Sequence, residues 1–470
     1  MNNCKNAAGG AAVDAVTCAL NRGVSQAQIS AAQSYIAGQS GIAPRFGNQI
    51  VNFGKLDYHL NDRQSFSLLY NRMRWDSLNG ILTNPIARNG ITSLGNDRDK
   101  VDSVIGKATS LISSRVSNEF RAGYAREFDI QTGDTPLPNE PTTTSGGLPP
   151  GVIISTNSGF SLGSPTYTPR ASYPDERVIE LSDNVTAALG HHTLNAGLNY
   201  HWVQDNVNAI DFLHGRFTYA QVADFFTDFA RANGGSAGCD AARDSGPGIL
   251  PCYTTLQQSF GRPQFVFHTN EYGAYLQDDW RVTKRLVLNL GLRYDYEALP
   301  NAKIPNPNST LSQTAYMPSD KNNIAPRFGL AWDAFGTGKT LVHAGFGLYY
   351  GRIQNGSIFR ALATTAAPSA QFNIQTSSSA ANAPQYPFIL PTGTAPAVSN
   401  IQAFAPAFQN PVSDEVDVSV QQALGWNTVL GVAYLGSFGK NLPNFIDTNI
   451  APATTTRTYT FAGGGVPGIF

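Results

Sequence analysis

Residues 271–297, EYGAYLQDDWRVTKRLVLNLGLRYDYE, decide how the rest of the chain is read. In the second half, Leu286, Leu288, Leu290, Leu292, Tyr294 and Tyr296 fall on one side of an extended strand, and Val287, Asn289, Gly291, Arg293 and Asp295 on the other. One face is oily and the opposite one mostly polar. Upstream, Tyr272, Ala274, Leu276 and Trp280 make a looser apolar row broken by Asp278, and the connector 281–285 turns the chain back, so the stretch reads as a hairpin. Its aromatic residues gather near the strand ends. A wall with lipid outside and water inside has this pattern, with Trp and Tyr at the headgroup level and Arg and Asp facing a wet lumen.

Composition agrees. Only 14% of the 470 residues are charged, against roughly 25% in an ordinary soluble domain. With 32 basic and 33 acidic side chains there is no electrostatic case for binding nucleic acid. No run approaches the roughly 18 apolar residues of a membrane-spanning helix, so any span is built from strands. The opening residues, MNNCKNAAGGAAVDAV, lack the basic start and apolar core of an export signal; an exported chain would then begin inside a longer protein.

Further hairpins are predicted for residues 53–60 with 65–75, 101–112 with 116–128, 176–187 with 193–204, 325–333 with 341–350, and 412–423 with 428–436. Connections alternate between a few residues and long excursions rich in Gly, Pro, Asn and Ser. Structureless loops above about 12–15 residues are uncommon in compact soluble domains, whereas a bilayer explains short turns on one side and long loops outside. Residues 1–48 read as a loop region with a short helix over 25–36, and 219–230 as another helix carrying Phe225, Phe226 and Phe229. Residues 351–410 read as the longest structureless span.

Four cysteines fall in two local pairs, Cys4 with Cys18 and Cys239 with Cys252. Two loop disulfides formed in an oxidising compartment are the natural reading, free thiols the alternative. No metal template accompanies them.

Candidate chemistry is sparse. Gly338-Lys339-Thr340 ends like a phosphate-binding loop, but Asp333 stands where that loop needs Gly and a strand follows instead of a helix, so the segment reads as a turn. His191-His192 reads as a turn rather than half a metal site. No GxSxG, HExxH or CxxC occurs. The expectation is a non-enzyme with no cofactor and no metal. Glu119, Arg121, Asn199, His201, Arg293, Asp295 and His343 take alternate strand positions as candidate lumen-facing groups, and Gly123, Gly197, Gly291, Gly345 and Gly347 leave room beside them.

Several segments carry a family resemblance. NEFRAGY at 118–124, HTLNAG at 192–197, QDDWRVT at 277–283 followed by LNLGLRY at 288–294, APRFG at 325–329 and AYLGS at 433–437 resemble the barrel of TonB-dependent outer-membrane transporters, closest to the Oar-like receptors. The likeness runs from Gln49 to Asn441. It implies an antiparallel up-and-down barrel of 22 strands, a plug rearranged by a TonB-type energy-coupling protein, and a large extracellular ligand. About twelve strands are legible here, with no plug or TonB-binding segment.

The chain is therefore expected to be a fragment: a loop region over 1–48, transmembrane strands with long extracellular loops over 49–441, and the start of a further loop or strand over 442–470. Such a fragment leaves two unpaired edges, so an open or strained curved sheet is predicted. The functional expectation is the barrel portion of an outer-membrane transport receptor in contact with outer-membrane lipid, its ligand unknown. A surface adhesin or scaffold displaying long loops is one alternative, and a secreted soluble β-sandwich binding protein is another.

Overall fold

The computed structural model describes residues 4, 12–80, 88–141, 147–154, 159–165, 168–240, 247–394 and 400–449. Two helices, α1 (Ala15–Asn21) and α2 (Gln26–Gly38), precede the first hairpin, β1 (Phe46–Asn61) with β2 (Gln64–Leu78). The second joins β3 (Asn96–Ser113) to β4 (Val116–Thr132). Three short strands, β5 (Gly151–Ile154), β6 (Phe160–Leu162) and β7 (Arg170–Ser172), lead to the third, β8 (Asp175–Leu189) with β9 (His192–Ala209). The next excursion holds β10 (Arg216–Tyr219), α3 (Val222–Ala232) and β11 (Thr255–Phe260). The hairpin quoted at the outset is β12 (Gln264–Thr283) with β13 (Leu286–Ala298). After it come β14 (Ile324–Asp333), β15 (Thr340–Tyr350), α4 (Asn355–Ala363), β16 (Phe372–Thr376), β17 (Val412–Gly425) and β18 (Thr428–Lys440).

All the long strands join one antiparallel sheet in chain order from β1 to β18, with β7 a short piece between β4 and β9. Among the described residues β1 and β18 do not pair with each other, so the sheet is open. Register carries the apolar row from strand to strand. Leu290 lies opposite Asp278 and Phe328, and Phe328 opposite Phe346. Leu198, Leu276 and Leu292 in this row are 65%, 57% and 53% exposed, so among the described residues no second protein layer covers them. A β-sandwich would bury that row, and this sheet leaves it bare. Asp278, the break in the row, sits near the tight turn, where His192 Nδ1 lies 2.7 Å from its carboxylate and the His192 ring stacks on Trp280.

Six tight turns gather at one end of the sheet and five long connections at the other. The long connections are more ordered than their composition predicts. A second sheet, in the order β16-β11-β10-β5-β6, takes its strands from three different excursions, and β5 pairs parallel with β10. The helices α1, α2 and α3 pack with it around Ile29, Ile154, Phe217, Phe225, Tyr253 and Leu256. Residues 12–45 thus contribute two helices to a packed cap, where one helix in a loop was expected. Ser25 and Gln28 form a reciprocal capping box at the start of α2.

Arg22 of that segment reaches Asp224 of α3 at 2.8 Å, both fully buried, so the N-terminal segment is tied to the cap core by a paired charge. Disulfides join Cys4 to Cys18 and Cys239 to Cys252, with Cα separations of 5.6 and 5.3 Å. The span 351–410, expected to be structureless, contains α4 and β16. Of the end segment 442–470, residues 450–470 lie outside the described residues.

Candidate functional site

The polar face of the large sheet is built by the strand alternation itself, since every second side chain of β4, β8, β9, β12, β13 and β15 points away from the apolar row. The seven candidate groups all lie on it, and each lines one of three recesses. Glu119, Arg121 and Asn199 border a recess of about 450 Å³ together with Asn184 and Tyr275. A second, of about 230 Å³, is bordered by Asn199, His201, Arg293 and Asp295. His343 borders a third of about 350 Å³ with Arg327 and Asp417.

Charges on this face are paired across and along the strands. Arg121 Nη2 lies 2.6 Å from Glu119 Oε1, and Lys107 of β3 lies 3.4 Å from the same carboxylate. Arg293 holds Asp295 at 2.7 Å and donates to Asn199 Oδ1 at 3.2 Å. His201 sits between Glu271 at 3.2 Å and Glu180 at 3.6 Å. Such partly hydrated pairs contribute little to stability, and each leaves hydrogen-bonding edges open to water.

Three of the five glycines singled out in the sequence admit a neighbouring side chain, with a Cβ on Gly347 standing 3.0 Å from the Tyr349 ring. A Cβ on Gly197 would stand 2.4 Å from the Tyr275 ring, and one on Gly345 would meet the Asp417 carboxylate. The room they leave is filled by side chains of the same sheet.

Towards the long-loop end the polar face becomes acidic, with Asp99 opposite Asp129, Glu127 opposite Glu176, and Glu176 opposite Asp205. No group of three or more His, Cys, Asp or Glu is arranged to hold a metal ion among the described residues. At the same end α4 folds in against the wall, its Ile358, Phe359 and Leu362 packing on Val207 of β9 and on Phe265 and Phe267 of β12. Carboxylates of the wall hold this segment. Arg352 lies 3.1 Å from Glu271, Ile353 N donates to Glu297 at 2.9 Å, and Asn355 donates to Glu176 at 2.7 Å.

The Gly338-Lys339-Thr340 segment is a turn. Asp333 accepts from the amides of Gly336 and Gly338, both at 2.9 Å, and so occupies the donors that a phosphate would need. Gly336 and Gly338 both have φ near +70°, a region that favours glycine.

Sequence reasoning did not single out Tyr275, Asn184 or Arg352. Tyr275 shares its alternation with Gln277 and was readable as polar-face. Arg352 lies beyond the strand pattern, and only the folded cap brings it to Glu271.

With this geometry in view, the chain matches the family model described as an outer membrane beta barrel domain over residues 6–467. It belongs to that family. It is a protein of the outer membrane of a Gram-negative-type bacterium. Among curated proteins it is 26% identical over 207 residues to the TonB-dependent transporter Oar of Myxococcus xanthus, a match covering 43% of this chain and 17% of that protein. Among solved structures it is similar to the outer membrane transporter YddB of Escherichia coli. The identity is 14% and the TM-score 0.45, covering 83% of this chain and 40% of that one. The siderophore receptor PirA of Pseudomonas aeruginosa is 10% identical with a TM-score of 0.41, covering 83% and 45%. The chain thus spans less than half the length of these relatives, which are transporters and receptors by name.

Proposed function

We propose that this chain is the barrel portion of an outer-membrane transport receptor, its polar face walling a lumen through which a large extracellular ligand passes. Glu119, Arg121, Asn199, His201, Arg293, Asp295 and His343 face water in that lumen. A plug supplied by the rest of the full protein closes it, and a TonB-type energy-coupling protein moves the plug. The observation that carries this reading is the pairing of a recessed polar wall with an ordered cap at the long-loop end. A wall that merely anchors a display scaffold has no need of polar recesses. The cap is where ligand is first met, and the α4 segment stands at the mouth.

The test compares three strains: one carrying the full-length gene, one lacking it, and one carrying it but lacking the energy-coupling protein. Untargeted mass spectrometry of cell extracts reads which extracellular solutes accumulate. The proposal expects at least one solute to accumulate only where both genes are present. Equal accumulation in all three, with cell-surface adhesion changed by the gene, would favour the adhesin instead.

A further inference from the structure

We infer that the apolar face of the sheet carries, just above its hydrocarbon belt at the long-loop end, a binding site for the phosphate groups of an outer-leaflet lipid headgroup, centred on Arg72, Lys100, Arg126 and Arg177.

Register places these residues. Tyr70, Val104, Tyr124, Ile179 and Trp202 form one row across β2, β3, β4, β8 and β9, on the same side as the exposed leucines. Two residues further towards the long loops, the next row reads Arg72, Asp102, Arg126, Arg177 and then Gln204. The row above it reads Arg74, Lys100, Phe128 and Asp175, and beyond that Asp76 faces Arg98. Aromatic rings end the belt, and cations begin one step above them. In a bilayer that step is the passage from acyl chains to headgroups.

Six cations meet three acids here. Arg74 pairs with Asp102 at 2.7 Å, Arg98 with Asp76 at 3.0 Å, and Arg126 and Arg177 share Asp175 at 2.7 and 3.4 Å. Tyr70 donates to Asp102 at 3.1 Å, and Lys100 and Arg126 lie over the Phe128 ring. Three positive charges remain in excess. Arg72 and Lys100, both exposed, form no ion pair among the described residues. The patch spans four strands, roughly 14 Å at the usual strand spacing, which matches one headgroup carrying two phosphates. Across β9 and β12 the cation row continues as Gln204 and His268, so the positive charge is confined to one quadrant.

Cations displayed to water would serve any anion. Cations displayed on the lipid-facing side, at headgroup height, meet a lipid. This inference rests on the sidedness proposed above, and its test is arranged so that the two fail separately.

The full-length protein is purified folded, and retention of lipopolysaccharide is compared with retention of the same lipid after its phosphates are removed, with inorganic phosphate as competitor. Expected is binding about tenfold weaker for the dephosphorylated lipid and for the Arg72→Glu, Lys100→Glu double variant. The double variant Arg281→Glu, Lys284→Glu, with the same charge change at the opposite rim, should bind as the parent does. The milder Arg72→Gln, Lys100→Gln pair gives the same reading should charge reversal impair folding. Phosphate-independent retention, or equal loss in both rim variants, overturns the site. Displacement by inorganic phosphate at millimolar concentration would assign it to free anions and also overturns it. Quenching of Trp202, Trp280 and Trp332 by brominated acyl chains reports the belt separately, and its absence would sink the sidedness itself.

Discussion

Tyr275 lies across the face of Gly197, its hydroxyl donating to Asn184 Oδ1 at 2.8 Å on the next strand but one. A side chain at Gly197 would occupy the space of the ring. Gly197→Ala is therefore expected to lower stability by about 1–3 kcal/mol through overpacking. Gly123→Ala, where the nearest atom stands 3.6 Å away, should be tolerated. Heat-modifiable gel mobility of the two variants, measured against the parent, checks the contrast.

Leu290 belongs to the exposed apolar row, whereas its neighbour Asn289 donates to Asp279 at 2.6 Å on the polar face. Arginine in place of Leu290 should cost about 2–4 kcal/mol at the bilayer midplane and hinder insertion of the full-length protein. Asn289→Arg gains Asp279 as a partner and should insert normally. Membrane fractionation with detergent release reads both.

Both faces were legible in the sequence because a period of two survives wherever one side is oily. Every predicted hairpin is present, although the strands run further than predicted: β1 starts at Phe46 and β12 at Gln264. Those extra residues rise above the apolar belt, where the alternation of oily and polar residues no longer marks a strand. The cap was not legible. Its strands are three to six residues long and come from distant loops, as with Gly151 opposite Arg216, and non-local pairs of that length leave no periodic trace. Phe225, Phe226 and Phe229 did signal α3, because three aromatics at helical spacing demand burial. Of the site, the strand-borne groups could be placed by parity, while Arg352 and α4 depended on a fold that parity does not describe.

Burial raises the Asp228 carboxyl to about 7 from its ordinary 3.8, outweighing the Cys252 amide that donates to it at 2.8 Å. Between those values the folded cap holds a proton that the unfolded chain releases. The stability from this group is thus full below pH 3.8 and falls as pH rises towards 7. Hydrogen exchange of the α3 amides should show faster opening at neutral pH than at mildly acid pH. Asp228→Asn should flatten that dependence.

Cys239 and Cys252 close a loop with a sequence separation of 13 beneath α3. Opening it by the double Cys→Ser change should destabilise the cap by about 3 kcal/mol. The wall should still insert, because its hydrogen bonds run strand to strand. Protease sensitivity of the cap in intact cells, alongside unchanged membrane fractionation, is the expected pair of results.

Sidedness is tested most directly by single cysteines placed in turn at residues 288–293 of the full-length protein and labelled in intact outer membranes with a water-soluble maleimide. Cysteines at Asn289, Gly291 and Arg293 are predicted to react, and those at Leu288, Leu290 and Leu292 to react only once the membrane is dissolved. Labelling that does not alternate along this strand would contradict the account.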